Sequence, residues 1–222
     1  MILNDSPAVY LGSDSVEAIY LGSEKVWPSG GEYTPIDWIG ANGTQYIDTG
    51  YTPQSSSTKV EIYASVAYGG GDGRRLISCG SFGIGTYWSS VVSMYKLELY
   101  LSSGRTGTQT GYFEPGVSPF LIIGDLSPSG RSISAGGGTA TGSGTDASIN
   151  ASNYCIFADA SAGSAGNFVT AKMASCKIYD NGTLVRDLMP MIRNSDSKPG
   201  LWDTVTQQFY TNAGTGEFVV PT

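Results

Sequence analysis

Nineteen carboxylates and no histidine set the terms for any chemistry this 222-residue chain could do. Without imidazole there is no Ser-His-Asp or Cys-His nucleophile and no histidine metal ligand. What remains is two-carboxylate chemistry, the machinery of glycoside hydrolysis. Retaining hydrolysis needs carboxyl groups about 5 Å apart, and inverting hydrolysis about 6.5–9.5 Å. Alternate positions on one strand supply such spacings. Yet no two acidic residues here are two or four positions apart, and the nearest pair is Asp14 and Glu17. Only carboxylates from different strands could meet, so an enzyme is not expected.

Other reactive residues are sparse. Cys79, Cys155 and Cys176 are far apart and odd in number, which makes neither a disulfide framework nor a zinc spacing. Each sits among apolar or small residues on a strand-like segment, so buried free thiols are expected. Calcium needs several oxygen ligands from one or two loops. Asp72 and Asp180-Asn181 qualify by type alone, and Asp180-Asn-Gly182 is already explained as a turn. The expectation is no cofactor, with calcium the one ion left open. The sequons at Asn4, Asn42, Asn150 and Asn181 read as turn chemistry.

The positive case is for binding. Sugar rings stack their C–H faces on Tyr and Trp, while amides and hydroxyls fix the polar edge. Tyr87, Trp88, Tyr95, Tyr100 and Tyr112 fall in the middle of the chain and are the candidate ligand-binding residues. Tyr100 lies opposite the Leu97/Leu99/Leu101 face and is expected to be exposed. Gly83 and Gly85, in the strand that ends at Trp88, would let a ligand approach the backbone. The competing reading makes Tyr87 and Trp88 ordinary core residues. Trp38 and Trp202 read as structural on the same ground.

The elements that must position these residues are strands. Gly (31 residues), 11% aromatic and only 14% charged residues suit short strands joined by tight turns. No long stretch shows helical spacing with caps. In 58–66, Val60, Ile62, Ala64 and Val66 face one side, while Lys59, Glu61, Tyr63 and Ser65 face the other. Residues 75–79, 82–88, 95–101, 111–113, 120–123 and 154–158 are further strands. Asn42-Gly43 is a turn signal between strands. Residues 127–152 read as long loops with at most a small hairpin. In 172–179, Ala174, Cys176 and Ile178 point inward. Asn181-Gly182 makes a type I′ turn, 184–191 returns antiparallel, and Pro190 marks an edge or a strand end. Trp202 and Phe209 flank a second connection.

Before all this lies a repeat. Ala8-Val-Tyr-Leu-Gly-Ser-Asp-Ser-Val16 is followed, ten residues on, by Ala18-Ile-Tyr-Leu-Gly-Ser-Glu-Lys-Val26 and Trp27-Pro28. Two such units bury little alone. Val9, Leu11, Ile19, Leu21 and Trp27 must pack on the chain's own domain or dock on another protein. Ser29-Gly-Gly31 divides the chain into 1–30 and 31–222.

The segments Asp37-Trp-Ile-Gly-Ala-Asn-Gly-Thr-Gln-Tyr-Ile-Asp-Thr-Gly50, Tyr179-Asp-Asn-Gly-Thr-Leu-Val-Arg-Asp-Leu-Met-Pro190, Gly200-Leu-Trp-Asp203 and Phe209-Tyr-Thr-Asn-Ala-Gly-Thr-Gly216 carry a resemblance. It is to the concanavalin A-like (laminin-G-like) jelly-roll module of phage structural proteins and gut-bacterial surface proteins. It covers residues 32–66 and 171–219 best. The repeat resembles short segments near the start of phage virion proteins. The resemblance implies an all-β, two-sheet antiparallel jelly-roll sandwich with a short N-terminal β appendage, its first and last strands side by side. It implies a non-enzymatic, lectin-like domain that binds surface glycans, displayed on a virion as a fibre, tail or capsid-decoration protein. Residues 1–30 would then dock on other virion proteins or make a homo-oligomer. The alternatives are a structural decoration or fibre protein with no small ligand, and a bacterial surface adhesin. A net charge of −7 with no basic patch makes nucleic acid an unexpected partner. No run reaches the ~18 apolar residues of a membrane span. Met1-Ile-Leu-Asn-Asp-Ser6 has no secretory pattern, so the expected place is the virion surface after synthesis in a host cytoplasm.

Overall fold

The computed structural model describes residues 32–66, 73–80, 82–89, 94–101, 104–109, 118–127, 130–142, 152–161 and 164–222, together with short strands within 10–28. For those early strands, for Gly104–Gln109 and for strand ends such as Trp88 and Tyr95, the description is of backbone alone. Every regular element among the described residues is a β-strand, and the pairings are antiparallel.

Two large sheets form a sandwich. The six-stranded sheet runs Gly104–Gln109, Met94–Leu101, Phe82–Ser89, Arg75–Ser78, Cys155–Ile156, Ile47–Asp48. The path of the ten-stranded sheet runs Gly138–Gly142, Gly130–Ala135, Phe120–Ser127, Thr58–Val66, Thr170–Asp180, Thr183–Arg193, Lys198–Asp203, Gln208–Thr211. Beside that path, Ile39–Asn42 pairs with Thr170–Asp180, and Tyr33–Pro35 pairs with Thr183–Arg193. The opening strands thus pair within the closing block, while the last strand, Gln208–Thr211, pairs with Lys198–Asp203. Gly40 and Val219 exchange both backbone hydrogen bonds, at 2.7 and 2.8 Å.

Alternation builds the core between the sheets. Val60, Ile62, Ala64 and Val66 are buried from the larger sheet; Ile84, Leu97, Leu99 and Leu101 are buried from the smaller one. Ile84 and Leu99 reach across to Gly124, where a Cβ would come within 2.9 Å of either side chain. A larger residue at 124 would push the sheets apart.

Local geometry departs from the sequence reading at Ala174 and at Pro190, and adds detail at two turns. In Thr170–Asp180 the inward apolar residues are Ala171, Met173, Cys176 and Ile178, and Ala174 is only half-buried. A bulge between Met173 and Ser175 adds one residue and resets the alternation. Asn42-Gly43 is a turn between strands, as its sequence signals, and the strands it joins belong to different sheets. Gln45 shapes that turn, its Oε1 accepting from the N–H of Asn42 at 2.9 Å and its Nε2 donating to the Glu217 carbonyl at 3.0 Å. Pro190 lies inside Thr183–Arg193 rather than at an edge. Its carbonyl accepts from Ile36 N–H at 3.2 Å, so its missing N–H faces the junction where pairing passes from one neighbour to the next. The small hairpin allowed for within 127–152 is present as Gly130–Ala135 paired with Gly138–Gly142, and it joins the larger sheet and adds Ile133 and Ala135 to the core. Neighbouring strands supply the burial that this polar stretch lacks by itself.

Asn181 and Gly182 both have positive φ, 48° and 77°, as the type I′ turn requires. Each repeat unit near the N-terminus is a two-stranded pair: Tyr10–Leu11 with Asp14–Ser15, and Ala18–Leu21 with Glu24–Pro28. Val9, and the side chains of Leu11, Ile19, Leu21 and Trp27, lie outside the described residues, as does the expected strand 111–113.

Candidate functional site

The outer surface of the six-stranded sheet is where the middle aromatics were expected to gather. The pairing of Phe82–Ser89 with Met94–Leu101 sets Gly83 opposite Tyr100, Gly85 opposite Glu98, Tyr87 opposite Lys96 and Trp88 opposite Tyr95. Tyr87 is half-buried and shares its face with Lys96, Glu98 and Tyr100. The side chains of Trp88 and Tyr95, and all of Tyr112, lie outside the described residues.

Tyr100 is not the exposed ring expected there; only 7% of it is accessible. Its ring covers Gly83, where a Cβ would stand 2.5 Å from Tyr100 Cε1. Arg75 covers Gly85 in the same way, 2.7 Å from a Cβ there. The glycines therefore make room for the protein's own side chains, not for a ligand. Arg75 Nη1 donates to Glu98 Oε1 at 3.1 Å. Asp159 Oδ1 accepts from Ser78 Oγ at 2.5 Å and from Tyr100 OH at 3.1 Å, and Ser78 also bonds the Tyr100 hydroxyl. Burial, above all, pushes the Tyr100 hydroxyl pKa well up. Glu98 and Asp159 are both held by internal partners.

Unspent polar groups gather on the other sheet. Lys172 pairs with Gly40 on one side and Ser65 on the other, and Thr170 pairs with Asn42. Ala41, Ala64, Ala171 and Met173 point into the core, so alternation sends Gly40, Asn42, Ser65, Thr170 and Lys172 outward. With Trp38 and Val219 they line a surface cleft of about 170 Å³. Lys172 Nζ sits 4.1 Å from the centre of the Trp38 ring. The side chains of Asn42, Ser65 and Thr170 hydrogen-bond to nothing among the described residues, and Lys172 makes no ion pair there. The arrangement is a half-exposed indole beside two hydroxyls, an amide and an ammonium. Sequence reasoning took Trp38 for a structural residue. The outward positions of Lys172 and Ser65 were readable from alternation, but their convergence on Trp38 depends on a long-range strand pairing.

Elsewhere the acidic groups serve the fold. Asp180 Oδ2 accepts from Tyr51 OH at 2.7 Å and Gln54 N–H at 2.6 Å, and its Oδ1 accepts from Ser55. The residue singled out by type for calcium is thus spent on the 51–55 loop, and Asp72 lies outside the described residues. Among the described residues no three His, Cys, Asp or Glu side chains group as metal ligands would.

No family model and no curated protein matches the chain. Its fold is similar to the crystal structure of a candidate carbohydrate-binding protein from Bacteroides ovatus, with a TM-score of 0.52 and 14% identity. The likeness covers 85% of this chain and 60% of that one, so it spans less than two thirds of that chain's length. At this identity the likeness is one of fold.

Proposed function

We propose that this chain is a non-enzymatic, lectin-like module that binds surface glycans, displayed on a phage virion through residues 1–30. The observation that carries the binding reading is the Trp38 cleft. Its half-exposed ring, with the Lys172 ammonium over part of it, offers apolar contact to a sugar's C–H groups, and the amide and hydroxyls around it hydrogen-bond to nothing among the described residues. The sandwich fold, shared with a candidate carbohydrate-binding protein, supports the same reading. The enclosed ion pair of Glu98 with Arg75, and the hydrogen bonds that occupy Asp159, favour recognition over hydrolysis. The two N-terminal strand pairs and their resemblance to virion segments support display, and the division at residue 30 belongs to this proposal.

The test is binding of the full chain to a bacterial glycan array beside Trp38→Ala and Tyr87→Ala. Saturable binding that falls about tenfold in Trp38→Ala, the scale of one lost stacking contact, and survives in Tyr87→Ala is the expected result. Loss in Tyr87→Ala alone moves the site to the six-stranded sheet. No binding by the folded protein leaves a structural decoration protein.

A further inference from the structure

We infer that the Trp38 cleft selects a sugar bearing a carboxylate, such as a uronic or nonulosonic acid, with Lys172 as the group that recognises the charge; this rests on the carbohydrate-binding reading above. Four cations elsewhere on the larger sheet are committed. Lys59 is paired with Glu61, Lys177 with Asp187, Arg186 with Asp203 and Arg193 with Asp196. Lys172 instead holds its ammonium over the Trp38 indole, at the cleft, with no carboxylate in ion-pair range among the described residues. A sugar in the cleft packs against the exposed part of that ring, next to the ammonium that lies over it. A hydroxyl there would gain an ordinary hydrogen bond, whereas a carboxylate gains a charge-assisted one. Ser65, Thr170 and Asn42 remain for the neutral hydroxyls.

The chain's own charge narrows the class further. At −7 it repels a densely charged polyanion at long range. One ammonium in one cleft suits a chain with an isolated carboxylate per repeat rather than a heavily sulfated polymer.

The experiment uses the full chain with alginate, polygalacturonate and polysialic acid, each beside its carboxyl-reduced form, and with dextran as the neutral control. The expected result is retention of at least one acidic polymer about tenfold more tightly than its reduced form, as one charge-assisted hydrogen bond would give. That preference should shrink as salt is added. Lys172→Met keeps a stem to lie on Trp38 and should bind both forms equally, while Lys172→Arg should keep the preference. Equal binding of acidic and reduced forms by the native chain overturns this inference and leaves glycan binding intact. An acidic preference that persists in a folded Lys172→Met variant also overturns it. Failure to retain any acidic polymer, with binding to a neutral glycan, does the same. Failure to bind any glycan overturns both readings.

Discussion

The Arg75 guanidinium carbon lies 3.6 Å from the centre of the Tyr100 ring, and each of the two side chains roofs a glycine of the neighbouring strand. This stack is how the smaller sheet keeps polar residues on its outer surface without leaving them to water. Gly83 and Gly85 give the ring and the guanidinium a place to lie flat. Glu98 and Asp159 then neutralise and anchor them.

Gly83→Ala tests that packing. The added methyl would meet Tyr100 Cε1 at 2.5 Å and the Ile77 carbonyl at 2.7 Å, and the second contact is backbone that cannot swing away. We expect a loss of about 1–3 kcal/mol, the usual cost of overpacking. Urea unfolding followed by tryptophan fluorescence measures it. An unchanged midpoint would mean that Tyr100 leaves its seat at no cost.

Asp203 makes a second prediction. It is fully buried, accepts from the N–H groups of Asp187 and Val205 and from Thr206 Oγ1, and lies 3.4 Å from Arg186 Nε. Asp203→Ala strands those donors and leaves Arg186 without its carboxylate. The expected cost is about 3 kcal/mol or more. Thermal unfolding of the variant would show it as a clear drop in Tm.

Stability should fall at both ends of the pH scale, through one hydrogen bond. Burial works to raise the Asp180 pKa, but hydrogen bonds from Ser55, Gln54 N–H and Tyr51 outweigh it and hold the carboxyl below its usual range. A depressed folded pKa gives stability that is present above the unfolded value and lost as pH falls through the folded one. Burial first, then the bond to Asp180, raises the Tyr51 hydroxyl to about 12. A raised folded pKa gives stability present below the unfolded value of 10.0 and lost as pH rises towards about 12. Unfolding free energies should therefore decline below about pH 4, as Asp180 titrates, and again from about pH 10 to 12. Asp180→Asn should flatten the acid limb, and Tyr51→Phe the alkaline one. Limbs that stay equally steep in these variants would place the linkage on other groups.

The thiols should be silent in the native state. Cys79, Cys155 and Cys176 are all buried and in no disulfide. Burial first, then Asp48 and Asp159, pushes Cys155 up to about 12, and burial first, then Asp187, drives Cys176 well up. Almost no thiolate of Cys155 or Cys176 is present at neutral pH. A colorimetric thiol reagent at pH 8 should react with the denatured chain and not with the folded one. Rapid labelling of the folded chain would show that a sheet opens locally.

Much of the fold could be read from alternation, because a strand with one buried face writes its period into the sequence. Thr58–Val66 and Met94–Leu101 both follow that pattern. The type I′ turn at Asn181-Gly182 was legible because few residue pairs tolerate positive φ at both positions. What alternation cannot carry is a change of count. The extra residue near Ala174 turned Met173 inward, and nothing local announces a bulge. Burial of Tyr100 was hidden for a different reason. Its outward direction was right, but the side chains that cover it, Arg75 and Asp159, come from strands far away in sequence. The Trp38 cleft shares that cause, since its polar rim is drawn from three separate strands.

The Gly40–Val219 bridge bears on how the sandwich responds to mechanical load. A pull applied on the N-terminal side of Gly40 and the C-terminal side of Val219 draws both strands out of the same end of an antiparallel pair. Its two hydrogen bonds then break one after the other, like a zip, instead of sharing the force in shear. A tether on one side alone puts no tension across that seam. The sandwich resists being hung from one end far better than being stretched between two.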